Sequence, residues 1–216
     1  MDKNNKKLNV STKFFWLLFL LTTFTACSNK QKVETKNKEG VVVESFYINK
    51  KNPEQKIGAY HKYYDDGKMM EESHYENGKL TGKRLLFYNT GKIMQSEHYL
   101  DNKYNGAFAS YYEDGGLQQE GAYKDNMMNG VWKNYFQHPK NKLKEEITLK
   151  DNHVEGIYKE YYSNGNVHAS GNKKEIMDGI DVFDGEVLIY DSLVNNKVIR
   201  KLHFENGKQI SKEEVL

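Results

Sequence analysis

The sequence predicts an all-β fold: an elongated array of about six antiparallel β-hairpin repeats that follows an N-terminal export signal and a flexible tether. Two observations predict it. A segment that begins with glycine recurs along the chain at an almost constant spacing. Aromatic and glycine residues are frequent as well, with 16 Tyr, 10 Phe and 17 Gly against 2 Pro. Aromatic residues favour strands and glycines favour tight turns, so short strands separated by glycine turns are expected.

The repeat has a period of 24 residues, which lengthens to 26 in the fourth copy. Five copies begin at Gly58, Gly82, Gly106, Gly130 and Gly156. A looser sixth copy begins near Gly185 and runs to about residue 210. Each copy reads as strand, turn, strand, turn, which is one hairpin. Because a lone hairpin is marginally stable in water, the array must be stabilised by stacking between neighbouring copies.

The first segment of each copy ends in a pair of aromatic residues, and a turn follows directly. Successive strand residues point to opposite faces, so these pairs are expected to form two aromatic ladders, one on each face. The second members of the pairs are the candidate binding surface: Tyr64, Tyr88, Tyr112, Phe136 and Tyr162. The turns carry glycines that are expected to supply the positive φ of a tight hairpin: Gly67, Gly91, Gly115 and Gly165.

Two interpretations of the aromatic ladders stay open at this point. A contiguous exposed aromatic patch usually marks a binding surface. Tyrosines paired across strands also stabilise sheets without binding anything. The sequence favours neither interpretation over the other.

The repeat pattern, seen in Y-Y-D-D-G-K from Tyr63 and in the Y-E-N-G-K segment from Tyr75, resembles the MORN-repeat variant found in bacteria. The resemblance covers about residues 58–210, and the copies at Gly58, Gly82 and Gly106 fit best. It implies an elongated, curved antiparallel ribbon used for protein or lipid contacts. Many such chains are labelled antitoxin-like components of toxin–antitoxin systems, so the resemblance also implies a toxin as one kind of partner. It brings no catalytic residue with it.

The first 26 residues are predicted to be a lipoprotein signal peptide. Four lysines precede an apolar run from Phe14 to Leu21, which is far shorter than the roughly 20 residues of a transmembrane helix. The run ends in Phe24-Thr25-Ala26-Cys27, which resembles the lipobox of bacterial lipoproteins, where the cysteine is acylated. Cys27 is the only cysteine, so an intramolecular disulfide is excluded. The expected location is the cell envelope, with the chain held at a membrane surface by its lipid.

The rest of the chain divides into four predicted regions. Residues 27–40 contain few apolar side chains and are expected to form a flexible tether. Residues 41–57 form an N-terminal cap strand region, residues 58–210 form the repeats and residues 211–216 form a C-terminal tail. The charges of Lys212, Glu213 and Glu214 in this tail are expected to discourage strand addition beyond the last hairpin.

Composition and motifs argue against several classes of function. Without residues 1–26 the chain has 28 basic and 29 acidic residues, so nucleic acid is not an expected partner. No phosphate-binding glycine loop, HExxH helix, GxSxG elbow or EF-hand loop is present in the sequence, and we expect no enzyme activity, cofactor or metal. His74 and His98 occupy equivalent places two strands apart, about 10 Å, which is too far to share a zinc ion.

The preferred hypothesis is a non-enzymatic, membrane-anchored envelope lipoprotein that presents its repeats as a surface for protein–protein interaction. One alternative is an antitoxin or immunity protein that neutralises a toxin in the envelope. Another is recognition of lipid head groups or glycans through the tyrosine ladder. The expected partner is another protein of the envelope.

Overall fold

The computed structural model describes residues 29–177 and 180–215, and regular structure within this range consists of strands. The predicted signal peptide and Cys27 lie outside the described residues. No helix in the described range has the length and apolar character needed to cross a bilayer. The predicted all-β array of antiparallel hairpins is confirmed.

Within these described ranges, seventeen strands form one antiparallel sheet. Their bounds are β1 Lys30–Lys36, β2 Val42–Asn49, β3 Asn52–Tyr63, β4 Met69–Glu76, β5 Lys79–Leu80, β6 Gly82–Phe87, β7 Ile93–Leu100, β8 Lys103–Tyr104, β9 Gly106–Tyr111, β10 Leu117–Lys124, β11 Met127–Phe136, β12 Lys142–Lys150, β13 His153–Tyr161, β14 Val167–Met177, β15 Ile180–Tyr190, β16 Val198–Glu205 and β17 Lys208–Glu214. Strands that follow one another in the chain are neighbours in the sheet. The short β5 is continued by β6, and both pair with β4; in the same way, β8 is continued by β9, and both pair with β7.

The first turn of each regular repeat has the same hydrogen bonds. In the turn that begins at Tyr64, the Tyr64 N–H donates to the Lys68 carbonyl at 2.8 Å and the Gly67 N–H donates to the Tyr64 carbonyl at 2.9 Å. The four turn glycines have φ values of +83°, +82°, +87° and +96°, in the left-handed region that glycine adopts without strain. The aspartate or asparagine pairs of the second turns, such as Asp101 and Asn102, both have positive φ, as a type I′ hairpin turn requires.

A two-residue bulge marks the opening glycine of each repeat. Glu120 and Ala122 on β10 are two residues apart, but their partners Lys133 and Asn129 on β11 are four apart, and Gly130 lies between them. The register changes in the same way beside the other opening glycines, and all of them have positive φ. The glycine that defines the period is therefore a bulge residue, a role that the sequence analysis did not assign to it.

The two faces of the sheet differ in composition. The aromatic face carries the residue two positions after each opening glycine: Tyr60, Arg84, Phe108, Trp132 and Tyr158. Trp132 is only 1% exposed and forms the centre of a core with Leu149 and Val154. The open face carries the residues one, three and five positions after the same glycines, because side chains alternate along a strand.

The ends of the array correct two sequence predictions. Residues 30–36, expected within a flexible tether, form β1 and pair with β2 from Lys30 to Lys36. The ladder hydrogen bonds offered by the edge of β2 order this polar segment without a large apolar surface. At the other end, Lys212, Glu213 and Glu214 belong to β17 and pair with β16, so most of the predicted tail is the last strand.

Close packing on the aromatic face makes Gly121 sensitive to substitution. A Cβ atom at Gly121 would lie 2.3 Å from the Trp132 ring, which has no room to move in the core. Gly121→Ala is expected to destabilise the protein by about 1–3 kcal/mol, as overpacking does. Urea denaturation followed by Trp fluorescence measures this change. Ala122→Ser, on the open face, serves as the control, and equal stability of the two variants would contradict the packing described here.

Candidate interaction surface

The predicted binding tyrosines lie at the start of the first turns, along one long edge of the ribbon. Their hydroxyl groups donate to a backbone carbonyl of the next repeat. The four hydrogen bonds are Tyr64 Oη to Phe87 O at 2.6 Å, Tyr88 Oη to Tyr111 O at 2.7 Å, Tyr112 Oη to Tyr135 O at 2.9 Å and Tyr162 Oη to Tyr190 O at 3.2 Å. These side chains are half-buried. They therefore connect successive repeats.

This placement corrects the expected geometry of the aromatic pairs. The first members of the pairs are the last residues of their strands in most copies, but the second members start a turn and form an edge ladder rather than a second face. Phe136, in the fourth copy, has no hydroxyl group and interrupts the edge ladder. Because the tyrosine hydroxyls are already hydrogen-bonded within the chain, the ladder offers few free polar groups to a glycan or a lipid head group.

The opposite edge is held by asparagines of the second turns. The Asn126 N–H donates to the Tyr104 carbonyl at 3.0 Å, and Asn126 Oδ1 accepts from the Tyr104 N–H at 2.8 Å. Asn102 makes the same pair of bonds with Leu80, and Asn152 makes it with Met128. Each asparagine thus continues the backbone hydrogen bonding into the preceding repeat. Sequence reasoning identified these residues as turn residues but not as links between repeats.

An ionic cluster replaces the aromatic residue of the second repeat. Arg84 makes two hydrogen bonds of 2.9 Å with Glu71, one to each carboxylate oxygen, and one of 3.2 Å with Glu97. Glu97 is 1% exposed and also accepts from the Tyr104 hydroxyl at 3.2 Å. Ser73 donates to Glu71 at 3.1 Å. Because every charge in the cluster is hydrogen-bonded, the cluster is part of the core rather than an open binding site.

The open face presents a row of alternating charges across four neighbouring strands. Glu120 on β10 is opposite Lys133 on β11, Lys133 is opposite Glu146 on β12, and Glu146 is opposite Lys159 on β13. Lys133 Nζ lies 3.8 Å from Glu120 Oε1, and both side chains remain substantially exposed. Burial, together with the 2.7 Å hydrogen bond that Tyr135 donates to Glu120, raises the pKa of Tyr135 above its ordinary value.

Beside the charged row, the open face combines small residues with exposed aliphatic ones. Val131 and Ile157, each one position after an opening glycine, are 48% and 54% exposed. A groove of about 590 Å³ has alanines on its floor and charged side chains along it, and its lining includes Ala107, Ala109, Ala122, Val131, Glu120, Lys133 and Glu146. The structure places a second groove of about 260 Å³ beside Ile157. An alanine-lined floor next to exposed aliphatic side chains is suited to receive protein side chains.

The sequence itself contains a signal that distinguishes the two faces. In the aligned openings, the residue after glycine is Ala, Lys, Ala, Val or Ile, and the next one is Tyr, Arg, Phe, Trp or Tyr. The alternation separates an aromatic position from a small or aliphatic one in four of these five copies. In the described part of the chain, no group of three or more His, Cys, Asp or Glu residues is placed to hold a metal ion.

Four segments of the chain match the family model of the MORN repeat variant: residues 56–79, 80–101, 104–125 and 154–175. The predicted resemblance is thus confirmed for the copies at Gly58, Gly82, Gly106 and Gly156, and the chain is a repeat protein. The copies at Gly130 and Gly185 are not matched, and both depart from the regular first turn, at residues 137–141 and 191–197. No curated protein matches the chain.

Two solved structures resemble parts of this chain weakly. The crystal structure of TcdB2-TccC3 aligns with 82% of this chain at 12% identity and a TM-score of 0.19. The crystal structure of TcdB2-TccC3-Cdc42 aligns with 80% at 13% identity and a TM-score of 0.17. The chain spans about 13% and 12% of the lengths of those two chains. Similarity this low carries no inference about function.

The tyrosine edge ladder can be tested at Tyr112. Tyr112→Phe removes only the hydroxyl that bonds the Tyr135 carbonyl, and we expect it to lower the free energy of unfolding by about 0.5–1.5 kcal/mol. Urea denaturation measures the change. Tyr111→Phe is the matched control, because the Tyr111 carbonyl accepts a bond from Tyr88 and is unchanged by the substitution. If Tyr112→Phe and the control are equally stable, the hydroxyl does not link the repeats.

Proposed function

We propose that this protein is a non-enzymatic envelope lipoprotein, anchored through acylated Cys27, whose open face binds another protein. The observation that carries the proposal is the exposure of two aliphatic side chains on this face, Val131 in the larger groove and Ile157 in the smaller one. Val131 and Ile157 each follow a bulge glycine near the middle of the array, on the open face and away from the turns at its edges. Burial of a fully exposed side chain of this kind contributes about 1.5–3 kcal/mol, and because each of the two is already about half buried, covering both contributes roughly 1.5–3 kcal/mol in total.

The aromatic face is a poorer candidate for this role. Trp132, Leu149 and Val154 pack against one another and against neighbouring aromatic rings, and the exposed area that remains is small. The edge tyrosines are hydrogen-bonded to the next repeat. Among the surfaces formed by the described residues, the open face combines exposed aliphatic groups, charged groups and a groove.

The anchor proposed at Cys27 places the sheet close to a membrane. The first strand begins at Lys30, so two residues, Ser28 and Asn29, separate the cysteine from β1. An extended chain covers about 3.5 Å per residue, which limits the separation between Cys27 and β1 to about 10 Å. Two or more acyl chains give stable anchoring where one gives marginal binding. The open face would then be presented to proteins within the same envelope compartment.

A photo-crosslinking amino acid at position 157 of the full-length protein, expressed in its native host, tests both parts of the proposal. Irradiation of intact cells is expected to attach a discrete protein to position 157. In the matched control, the photo-crosslinking amino acid replaces Thr90, which is exposed in a first turn. The crosslinked product is expected to disappear or to fall severalfold in a Cys27→Ala background, with the protein lost from the membrane fraction.

The two parts of the proposal fail in different ways. Equal crosslinking from positions 157 and 90, or none from either, would contradict a binding role for the open face. Unchanged membrane fractionation of Cys27→Ala, together with no incorporation of a fatty-acid label into the wild-type protein, would contradict the anchor.

A further inference from the structure

We infer that the partner of the open face is a second copy of this chain, docked face to face across a two-fold axis that runs parallel to the strands between β11 and β12. This inference rests on the proposed function of the open face, because it identifies the protein that covers that face. It is carried by the order of charges along the face, by the position of the groove relative to Ile157, and by the area that the two faces can share.

The alternating charges are self-complementary in one docking geometry. A two-fold rotation between β11 and β12 reverses the order of the strands, so Glu120 faces Lys159 of the second copy and Lys133 faces its Glu146. The four charges thereby form four contacts of opposite sign. A two-fold axis along the charged row would instead place each charge against itself. Electrostatics therefore selects the first geometry, because opposed like charges cost several kcal/mol at an interface.

The same rotation brings the exposed isoleucine to the alanine-lined groove. Ala122 lies on β10 and Ile157 lies on β13, the two strands that this rotation places opposite each other. Both residues lie on the same side of the charged row, and a rotation about an axis parallel to the strands preserves that side. Ile157 of one copy therefore faces the groove beside Ala107 and Ala122 of the other. Because the interface is isologous, this contact occurs twice.

The face is large enough for a weak specific dimer. Six strands, β9 to β14, at about 4.8 Å spacing and about five residues per strand give a footprint of roughly 30 by 17 Å per copy. The total area covered is then about 1,000 Å², at the lower limit for specific interfaces. The rotation leaves the strands of the two copies approximately aligned, which is a common packing of two sheets. Anchoring both copies to one membrane raises their effective concentration and favours such a weak association.

Charge exchange between two differently tagged full-length copies tests this geometry. In Glu120→Lys, a copy presents lysine at both 120 and 159, and in Lys159→Glu it presents glutamate at both. When either variant is expressed alone, chemical crosslinking between its tagged copies in intact cells is expected to fall at least fivefold below the wild-type level. Coexpression of the two variants is expected to recover at least half of it, because both outer contacts then pair opposite charges.

The inner contact supplies a second, independent exchange. Crosslinking is expected to be lost when Lys133→Glu or Glu146→Lys is expressed alone and to be recovered when the two variants are coexpressed. Recovery on mixing also shows that the variants fold, since an unfolded chain cannot be rescued by its partner. Unchanged crosslinking of the single variants, or loss without recovery in both exchanges, would overturn the two-fold arrangement.

The same cells separate this inference from the proposed function. If wild-type copies do not crosslink to each other while the photo-crosslinker at position 157 captures a different protein, the dimer is overturned and the open face remains an interaction surface. If position 157 captures a second copy of the chain and the charge exchange succeeds, both are supported.

Discussion

The described residues form a single sheet with no second layer of structure against it, so each repeat among them depends on its contacts with the next repeat. Three sets of contacts meet this constraint. Aromatic and aliphatic side chains pack along one face around Trp132. Tyrosine hydroxyls bond the next repeat along one edge, and asparagines of the second turns bond the preceding repeat along the other edge. The core is thus distributed along the array, as expected when each unit contacts only its neighbours.

The distribution of aromatic residues explains why the two faces have different roles. Rings fill the aromatic face, and Gly121 on β10 makes room for the ring of Trp132 on the neighbouring strand β11. Arg84 interrupts the series of rings, but its guanidinium group is hydrogen-bonded to the carboxylates of Glu71 and Glu97, so its charge is paired. The open face has small residues at several of the corresponding positions, which leaves a groove and exposes Val131 and Ile157.

The sequence predicted the architecture well because the repeat has strong local signals. The spacing of the opening glycines, the turn motifs around Gly67 and Gly115, and the strand propensity of tyrosine each depend on nearby residues. The bulge at Gly130 depends on how β10 and β11 align, and the tyrosine and asparagine links join residues 22 to 28 positions apart. Residues 30–36 were predicted to be a tether because their composition is polar, yet the edge of β2 orders them through backbone pairing.

We propose that a protein covers the open face in the cell. The most direct measurement is the accessibility of a cysteine at that face, using Ile157→Cys in the full-length protein in intact cells and a thiol reagent that reaches the compartment of the protein. Acylation of Cys27, as proposed above, would leave the introduced thiol as the group that reacts. Slow labelling of Ile157→Cys beside rapid labelling of Thr90→Cys, with the difference lost in the Glu120→Lys background, is the predicted result. Equally rapid labelling at both positions would show that the open face is uncovered and would contradict the claim.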